Sequence, residues 1–392
     1  MRICIIGPAN SAHIVKWCDR LSARGHEMHV ISFIPGEIDD TTVHLIDVGV
    51  DAEGSDAGKL KYLFTGGKIR RLVNRIKPDV VTVHYATSYG VATALSGVSG
   101  YSLSVWGSDI YDFPKKSPMH KALLKFSLRR PALLLSTSKA MADEASQYTK
   151  RPFVITPFGV DTELFRPDIS AGTSSGDVPG VTETEGNLTD AAAATYKKFT
   201  IGTVKALSDK YGIRDILKAT SILKDRYSVP VRLRIAGKGP QEDEYKKLAI
   251  DLGIDNITEW LGFISQEEAA KEWAEMDVAV IPSIFESFGV SAVEAEACGT
   301  PVIISDVGGL MESTVSVPYD SDFTGETFSA ISVPRQDHEA IATTLLKLYE
   351  NPKLRQRMGE TGRKNVKKKY DIDTCFLRIE RIMKRVSENN GD

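Results

Sequence analysis

The sequence predicts an α/β fold built from two doubly wound domains. At 392 residues the chain exceeds the size at which one hydrophobic core usually stops growing. Short apolar runs such as RICIIG, PDVVTVHY and DVAVIPS alternate with helical segments along most of it. Continuous runs of Val, Ile and Leu are typical of strands buried on both faces of a parallel sheet. Ligands of such sheets bind at the carboxyl ends of the strands.

The composition excludes several classes of protein. The chain is 42% hydrophobic and 26% charged with a net charge of −3, which gives no overall attraction for nucleic acid or an acidic partner. The cysteines show no CxxC spacing, so we expect reduced thiols rather than disulfides or a zinc site. No apolar run reaches the length of a signal-peptide core or a transmembrane helix. These features predict a cytoplasmic protein.

The alternation of strands and helices divides the chain into two parts. We expect the first domain at 1–167 and the second at 199–374. Residues 168–198 are rich in Ser, Thr, Gly, Asp and Ala and contain hardly any large apolar side chain, so this segment is predicted to be a flexible insertion or linker. The tail, including residues 375–392, is charged and carries apolar residues at near-helical spacing.

The stretch IPSIFESFGVSAVEAEACGTPVIISD, from Ile281 to Asp306, is typical of a strand, helix, strand unit. The helix is expected to end at Gly299, with Pro301 just beyond it. Its start would direct unpaired N–H groups and the positive end of the helix dipole outward, and Gly289 would allow close backbone approach. Such a helix start favours a phosphate group, and a nucleoside diphosphate fits it.

Three glutamates lie within this unit. Glu286 precedes the helix, Glu294 borders its apolar stripe, and Glu296 lies about 200° further round, so Glu296 is predicted to face solvent. An acid/base pair of Glu286 and Glu294, as in a glycosidase, is the competing interpretation. Their separation would be on the order of 12 Å in a continuous helix, wider than the roughly 5 to 9.5 Å that such pairs need. The spacing therefore favours two separate roles.

Two lysines and two glycines follow predicted strands of the second domain. Lys205 and Lys210, in GTVKALSDKYG, are either ordinary surface lysines or ligands of a diphosphate, whose departure requires positive charge nearby. Gly237 and Gly239, in AGKGP, either bind phosphate or only turn the chain before the next helix.

The loop GPANSAH, from Gly7 to His13, joins the first strand to the first helix. It lacks G-x-G-x-x-G, which disfavours a resident dinucleotide and hence a NAD-dependent dehydrogenase. Asn10 and Ser11 are expected to cap the helix, to contact substrate, or to do both.

Lys115 to Arg130, KKSPMHKALLKFSLRR, contains six basic residues, no acidic one, and interleaved Leu and Phe. Such a segment can lie on an anionic membrane with its apolar side down. A solvated basic helix packed on its own domain is the alternative.

Several of these motifs carry a family resemblance. The two glutamates separated by seven residues in FESFGVSAVEAEACGTPVI, together with RGHEMHVIS, PFGVDTELFRP, AGKGP, WLGFIS and SDVGGLMES in this order, resemble the GT-B glycosyltransferases of family 4. These are retaining enzymes that use nucleotide-sugar donors. The resemblance implies two Rossmann-like domains facing a central cleft, with the donor in the second domain, the acceptor in the first, and the last helix crossing back to the first.

The resemblance also implies roles for residues of the donor site. Glu286 would bind hydroxyls of the donor sugar near the reacting carbon, and Glu294 would accept hydrogen bonds from the ribose. Lys205 and Lys210 would bind the departing diphosphate, although Lys205 replaces the usual Arg and cannot bind bidentately. The remaining donor contacts would be backbone N–H groups of Ser287, Phe288 and Gly289, and the segment from Leu261 to Phe263 along the base.

On the acceptor side, the resemblance implies that the loop containing Gly7 and Asn10 faces the cleft. Trp106, in SVWGSDIYDFP, stands where many relatives carry a His that contacts the sugar. Trp106 could stack on a sugar and Asp109 could hydrogen-bond it. His84 is the nearest alternative imidazole, but a lone His at a strand end is also commonly structural.

The sequence therefore predicts a retaining transferase that moves a hexose-type sugar from a UDP- or GDP-sugar to a glycan or lipid-linked acceptor, in cell-surface polysaccharide or glycolipid biosynthesis. We expect no cofactor and no metal, because the lysines and the helix start can neutralise the diphosphate. The alternatives are a nucleotide-sugar epimerase or hydrolase of the same fold, and a noncatalytic two-domain sugar or nucleotide binder.

Overall fold

A computed structural model describes residues 1–48, 58–167, 198–323 and 327–389. The linker predicted at 168–198 lies outside these ranges except for Lys198. Contacts divide the chain into two compact units. The first comprises Met1–Gly159, Glu286–Phe288 and Lys369–Asp392, and the second comprises Val160–Phe285 and Gly289–Lys368.

The first unit contains a seven-stranded parallel sheet with the order β3-β2-β1-β4-β5-β6-β7. Its strands are β1 Arg2–Ile6, β2 Glu27–Ser32, β3 Thr41–Leu45, β4 Val80–His84, β5 Ser102–Val105, β6 Leu133–Ser136 and β7 Phe153–Ile155. Its first six helices are α1 Ala12–Ser22, α2 Gly66–Ile76, α3 Ser88–Ser96, α4 Ser108–Tyr111, α5 Pro118–Arg129 and α6 Lys139–Ala145. Every residue of β4 and β5 is buried, as expected for central strands of a parallel sheet.

The second unit contains another seven-stranded parallel sheet, with the order β10-β9-β8-β11-β12-β14-β13. Its strands are β8 Phe199–Val204, β9 Val231–Ala236, β10 Thr258–Gly262, β11 Val278–Ile281, β12 Val302–Ser305, β13 Ser316–Pro318 and β14 Ala330–Val333. Its helices are α7 Ile213–Asp225, α8 Glu242–Asp251, α9 Gln266–Glu275, α10 Val290–Ala297, α11 Gly308–Ser313, α12 His338–Glu350 and α13 Pro352–Lys369.

The order of the second sheet reverses direction between β8 and β11. From β8 the chain proceeds outward to β9 and β10, and then returns to form β11 on the other side of β8. Connections leave β8 and β11 toward opposite sides at such a point, which opens a crevice beyond the carboxyl ends of the two strands. This position is where a ligand of the second unit is expected.

The last helix, α14 Ile372–Asn389, packs within the first unit. Its side chains Ile372, Phe376, Ile379 and Met383 are buried in one cluster with residues of β1 and α1. Arg24 at the end of α1 forms an ion pair of 2.8 Å with Asp373 at the start of α14. The apolar spacing seen in the tail is therefore the buried stripe of an amphipathic helix. Within the described ranges, no helix has the length and hydropathy to cross a bilayer.

Candidate functional site

Backbone hydrogen bonds join three strand ends at the carboxyl edge of the second sheet. The N–H of Lys205, after β8, donates to the carbonyl of Ala236 at 2.8 Å, and the N–H of Gly237, after β9, donates to Gly262 at 2.6 Å. Gly237 has φ +135°, and a Cβ there would lie 1.9 Å from the carbonyl oxygen of Lys205. Only glycine fits at this position. The strand end explains Gly237 without a ligand, and its predicted contact with phosphate stays a prediction.

Gly239 is also explained by a close backbone contact. A Cβ at this residue would lie 2.1 Å from the carbonyl oxygen of Leu207. That same carbonyl accepts a hydrogen bond from the N–H of Gln241 at 3.2 Å. The AGKGP segment thus folds against the loop that follows β8, which is the turning role that the sequence left open.

The two predicted lysines converge on one aromatic ring. The Nζ atom of Lys205 lies 4.6 Å from the ring centroid of Tyr211, and the Nζ atom of Lys210 lies 5.0 Å from it. Lys205 is half-buried and Lys210 is exposed. The structure therefore brings together two cations that are separated by a loop in the sequence.

The turn that carries Lys210 is fastened to the end of β11. The carbonyl of Lys210 accepts a hydrogen bond from the N–H of Ile284 at 2.8 Å. Gly212 has φ +69°, and a Cβ there would lie 2.2 Å from the carbonyl oxygen of Pro282. These contacts position the lysine turn at the crevice between β8 and β11.

The start of α10 meets the same edge of the sheet. The N-cap residue of this helix is Gly289, which has φ +90° and no side chain to cap the helix. In its first turn, the hydroxyl of Ser291 donates to the carbonyl of Val204 at 3.0 Å, next to Lys205 along the chain. The start of α10 and the backbone of Lys205 therefore lie at the same edge of the sheet, and a helix N-terminus favours anions.

Glu296 does not face solvent, and that prediction is wrong. Every residue from Ser291 to Ala297 is buried, and Glu296 is 0% exposed. Its Oε1 accepts a hydrogen bond of 2.5 Å from the hydroxyl of Ser329. A Cβ at Gly362 of α13 would lie 2.9 Å from its Cγ. The helix α13 thus covers the face of α10 that the helical spacing assigned to water.

Glu294 lies on the same helix and is 7% exposed. It is therefore nearly as buried as the apolar stripe that it borders. Phe263, which follows β10, is in contrast 79% exposed, an unusual environment for a large aromatic side chain. Neither observation tests the contacts with ribose or base that the resemblance implies.

Residues Glu286 to Phe288 belong by their contacts to the first unit. Glu286 is half-buried. The carbonyl of Ser287 accepts a hydrogen bond from the hydroxyl of Ser138. Phe288 is 2% exposed and packs edge-on against the rings of Phe158 and Tyr370, at centroid distances of 6.4 and 5.3 Å. The side chain of Phe288 thus serves packing, which leaves only its backbone for the predicted role.

His84 is enclosed in the first unit. It is 0% exposed, its ring lies 4.5 Å edge-on from Trp17, and its Nε2 lies 3.4 Å from the hydroxyl oxygen of Thr82. Burial, and secondarily the nearby His13, lowers the pKa of His84 to about 3. Of the two roles that the sequence left open, this environment favours the structural one.

Asp109 is also fully buried. Its carboxylate accepts hydrogen bonds from the N–H groups of Ala86 at 2.9 Å, Trp106 at 3.0 Å and Gly107 at 2.8 Å. Burial raises the pKa of this carboxyl, and the N–H donors offset part of the rise. Asp109 thereby joins the loops that follow β4 and β5, and its predicted hydrogen bond to a sugar stays a prediction.

The loop between β1 and α1 contains Ser11 and Asn10, for which helix capping and substrate contact were predicted. Ser11 caps α1 by accepting a hydrogen bond from the N–H of His13 at 3.3 Å. Asn10 is exposed and remains a candidate for substrate contact. Gly7 is buried, and a Cβ there would lie 3.1 Å from the Cδ1 of Ile14 and 3.3 Å from the Cβ of His84. Gly7 therefore allows close packing behind the loop.

Sequence reasoning missed His13. Its ring stacks on Phe158 at a centroid distance of 3.9 Å and meets Trp106 edge-on at 5.5 Å. Burial, with a smaller contribution from Lys16, lowers the pKa of His13 to about 4. His13 is thus the half-buried imidazole beside Trp106. The available signal was its place at the start of α1, one residue after the helix begins.

The basic segment 115–130 forms α5 with the turn before it. Leu124 and Leu128 are 0% exposed and belong to the core of the first unit, so these two side chains cannot insert into a membrane. The exposed side is basic, with Lys115, Lys116, Lys121, Arg129 and Arg130. Met119 is also exposed on this segment, at 51%, so its surface offers an apolar side chain beside the charges. Over the described part of the chain, no three His, Cys, Asp or Glu side chains are grouped to hold a metal ion.

The burial of Glu296 predicts a stability effect. Glu296→Ala removes the nearer of two acceptors of the Ser329 hydroxyl and leaves a cavity beneath α13, so the free energy of unfolding should fall by about 2 to 4 kcal/mol. Glu360→Ala, at an exposed position of α13, is the control and should stay within about 0.5 kcal/mol of wild type. Urea denaturation measures both, and equal values for the two variants would contradict the buried placement.

The burial of His84 predicts a pH effect. The unfolded chain binds a proton at this residue below pH 6.5, whereas the folded chain does so only near pH 3, so stability falls as the pH is lowered through this window. The contribution is about 1.4 kcal/mol per pH unit. We expect His84→Phe to reduce the slope of unfolding free energy against pH by that amount between pH 6 and pH 4. Parallel curves for variant and wild type would show that His84 titrates normally.

Comparison with known proteins identifies two family models along the chain. One described as Glycosyl transferase 4-like matches residues 2–138, and one described as Glycosyl transferases group 1 matches residues 189–365. An uncharacterized glycosyltransferase of Methanocaldococcus jannaschii is 30% identical over 188 residues, 48% of this chain and 45% of that protein. A D-inositol 3-phosphate glycosyltransferase of Pseudarthrobacter chlorophenolicus is 28% identical over 322 residues, 75% of this chain and 68% of that protein. The chain thus spans from under half to about two thirds of these relatives.

Solved structures resemble the whole chain. Sucrose-phosphate synthase from Thermosynechococcus elongatus aligns with a TM-score of 0.77 and 17% identity, covering 98% of this chain and 99% of that one. HepE of Anabaena, solved in complex with UDP, aligns with a TM-score of 0.75 and 16% identity, covering 98% and 100%. These likenesses establish the GT-B fold. With two glycosyltransferase family models matched in chain order, the chain belongs to the group 1 and 4-like glycosyltransferases.

Proposed function

We propose that this glycosyltransferase moves a hexose from a nucleoside diphosphate sugar to a glycan or lipid-linked acceptor with retention of anomeric configuration. The observation that carries the proposal is the convergence of Lys205, Lys210 and the start of α10 at the edge of the second sheet. Positive charge and helix dipole together suit a diphosphate, which gains negative charge as it leaves the sugar.

The donor occupies the crevice between β8 and β11 in this proposal. Lys205 and Lys210 bind the diphosphate oxygens, and they take on the neutralising role without a dedicated metal or cofactor. Glu294 accepts hydrogen bonds from the ribose, and Glu286 binds sugar hydroxyls, as the family resemblance implies. Phe263, 79% exposed, offers a ring face to the base.

The nucleotide is of the UDP or GDP type. HepE, a structural relative, has been solved with UDP, with UDP and glucose, and with UDP-glucose, which supports UDP as the first nucleotide to test.

The acceptor binds the first unit, where Asn10 is exposed and Trp106 is half-buried. We propose an acceptor from cell-surface polysaccharide or glycolipid biosynthesis, reached on the cytoplasmic side of a membrane. The basic side of α5 supports contact with anionic headgroups, because its exposed side chains carry charge of one sign.

Donor binding is tested by calorimetry with UDP, GDP and their sugar derivatives. We expect Lys210→Met to weaken binding of the preferred diphosphate by tenfold or more, because an ammonium group that contacts the anion is lost. Lys271→Met, at an exposed position of α9, is the matched control and should bind as wild type. If no nucleoside diphosphate binds the wild-type chain, the proposal fails. Complete turnover of the donor without any acceptor would instead support an epimerase or hydrolase.

Membrane contact is tested by vesicle sedimentation. Replacing Lys115, Lys116 and Lys121 by Gln should reduce binding to phosphatidylserine vesicles, at about 1 kcal/mol per charge, and leave the negligible binding to phosphatidylcholine unchanged. The control replaces the exposed lysines at 367, 368 and 369 of α13 by Gln. Equal losses in the two triple variants would show that net charge, rather than this surface, determines binding.

A further inference from the structure

We propose that Tyr211 is a positioning residue that holds the ammonium groups of Lys205 and Lys210 at the diphosphate position. This inference rests on the proposed function, because it assigns a role in the same site. Its basis is that the Nζ atoms of Lys205 and Lys210 lie close to the same ring, at 4.6 and 5.0 Å from its centroid. Cations within about 6 Å of a ring centroid are attracted by the negative face of the aromatic system.

The backbone that carries the ring is held on both sides of Tyr211. The residue before it, Lys210, accepts a hydrogen bond at its carbonyl from the N–H of Ile284, and the N–H of Tyr211 donates to the carbonyl of Ser208 at 2.9 Å. The residue after it, Gly212, contacts the end of β11 so closely that no side chain fits. The ring of Tyr211 therefore projects from a fixed backbone, and its short side chain has fewer rotatable bonds than that of a lysine.

A fixed ring lowers the cost of assembling the site. A lysine side chain has four flexible carbons, and ordering it on ligand binding costs conformational entropy. Two ammonium groups brought together also repel each other. Attraction to the same ring restricts both side chains before the ligand arrives and offsets part of their repulsion.

An aromatic ring suits this task better than a carboxylate. A carboxylate would neutralise a cation, as Glu244 does in its ion pair with the neighbouring Arg214. The ring carries no net charge, so its contact with an ammonium group leaves the charge of that group in place. The attraction depends on the ring face, so the phenolic hydroxyl is not required.

The experiment compares ligands with and without phosphates. In calorimetry, Tyr211→Leu should raise the Kd of the preferred nucleoside diphosphate by fivefold or more and leave the Kd of the corresponding nucleoside unchanged. The conservative variant Tyr211→Phe should restore the diphosphate Kd to within about twofold of wild type. Tyr227→Leu is the matched control. Tyr227 is half-buried at the other end of α7 with Arg226 6.0 Å from its ring, and its replacement should leave the diphosphate Kd unchanged.

A double-mutant cycle with Lys205→Met separates positioning from a general loss of structure. The effect of Tyr211→Leu on diphosphate affinity should shrink by at least half when Lys205→Met is already present, because one of the two supported cations is gone. Additive effects, or equal losses for nucleoside and diphosphate, would overturn the inference. If Tyr211→Leu is unstable, Tyr211→Met takes its place in the cycle, and a diphosphate Kd equal to that of wild type would overturn the inference. A loss of affinity in Tyr211→Phe would overturn it as well, because it would assign the role to the hydroxyl. Failure of the wild-type chain to bind any diphosphate would refute the proposed function instead.

Discussion

The carbonyl of Lys205 leaves no room for a side chain at position 237, and this contact fixes the backbone at the carboxyl edge of the second sheet. Backbone hydrogen bonds from Lys205 to Ala236 and from Gly237 to Gly262 join the ends of β8, β9 and β10 there. Lys205 is thereby held on a backbone that cannot shift without breaking the strand ends. Gly239 and Gly212 repeat the same restriction against Leu207 and Pro282. The cations of the site therefore project from a rigid edge, which is the condition for preorganised charge.

Much of the fold could be predicted from the sequence because parallel strands buried on both faces have a distinctive composition. The runs that contain β1, β4 and β11 are continuous apolar segments, and the GT-B architecture is confirmed. The order of strands in each sheet is set by contacts between distant segments, which apolar runs do not encode. The convergence of Lys205 and Lys210 on Tyr211 also depends on a contact between distant segments, because the turn that carries Lys210 is hydrogen-bonded to the end of β11.

The error at Glu296 has an identifiable cause. Helical spacing shows which residues share a face, but it does not show how many faces are covered. Here α13 buries a second face of α10, and two glycines of α13 allow the two helices to approach closely. A Cβ at Gly359 would lie 1.9 Å from the carbonyl of Gly299, and one at Gly362 would press on Glu296. Glycines three residues apart within a helix were the available sign of a close helix contact.

Charge and burial explain why individual site residues were harder to predict in the first unit than in the second. His84 and Asp109 stand at strand ends, where function is expected, but both are fully buried and hold neighbouring loops or rings in place. A polar residue at a strand end can be buried and hydrogen-bond the backbone of the loop, or it can be exposed and contact a ligand. The sequence does not distinguish these two placements. Lysine is different, because a long cationic side chain is almost never fully buried without a partner. For that reason the pattern of charges could predict an anion-binding edge, whereas the polar residues of the first unit needed the structure to separate buried from exposed side chains.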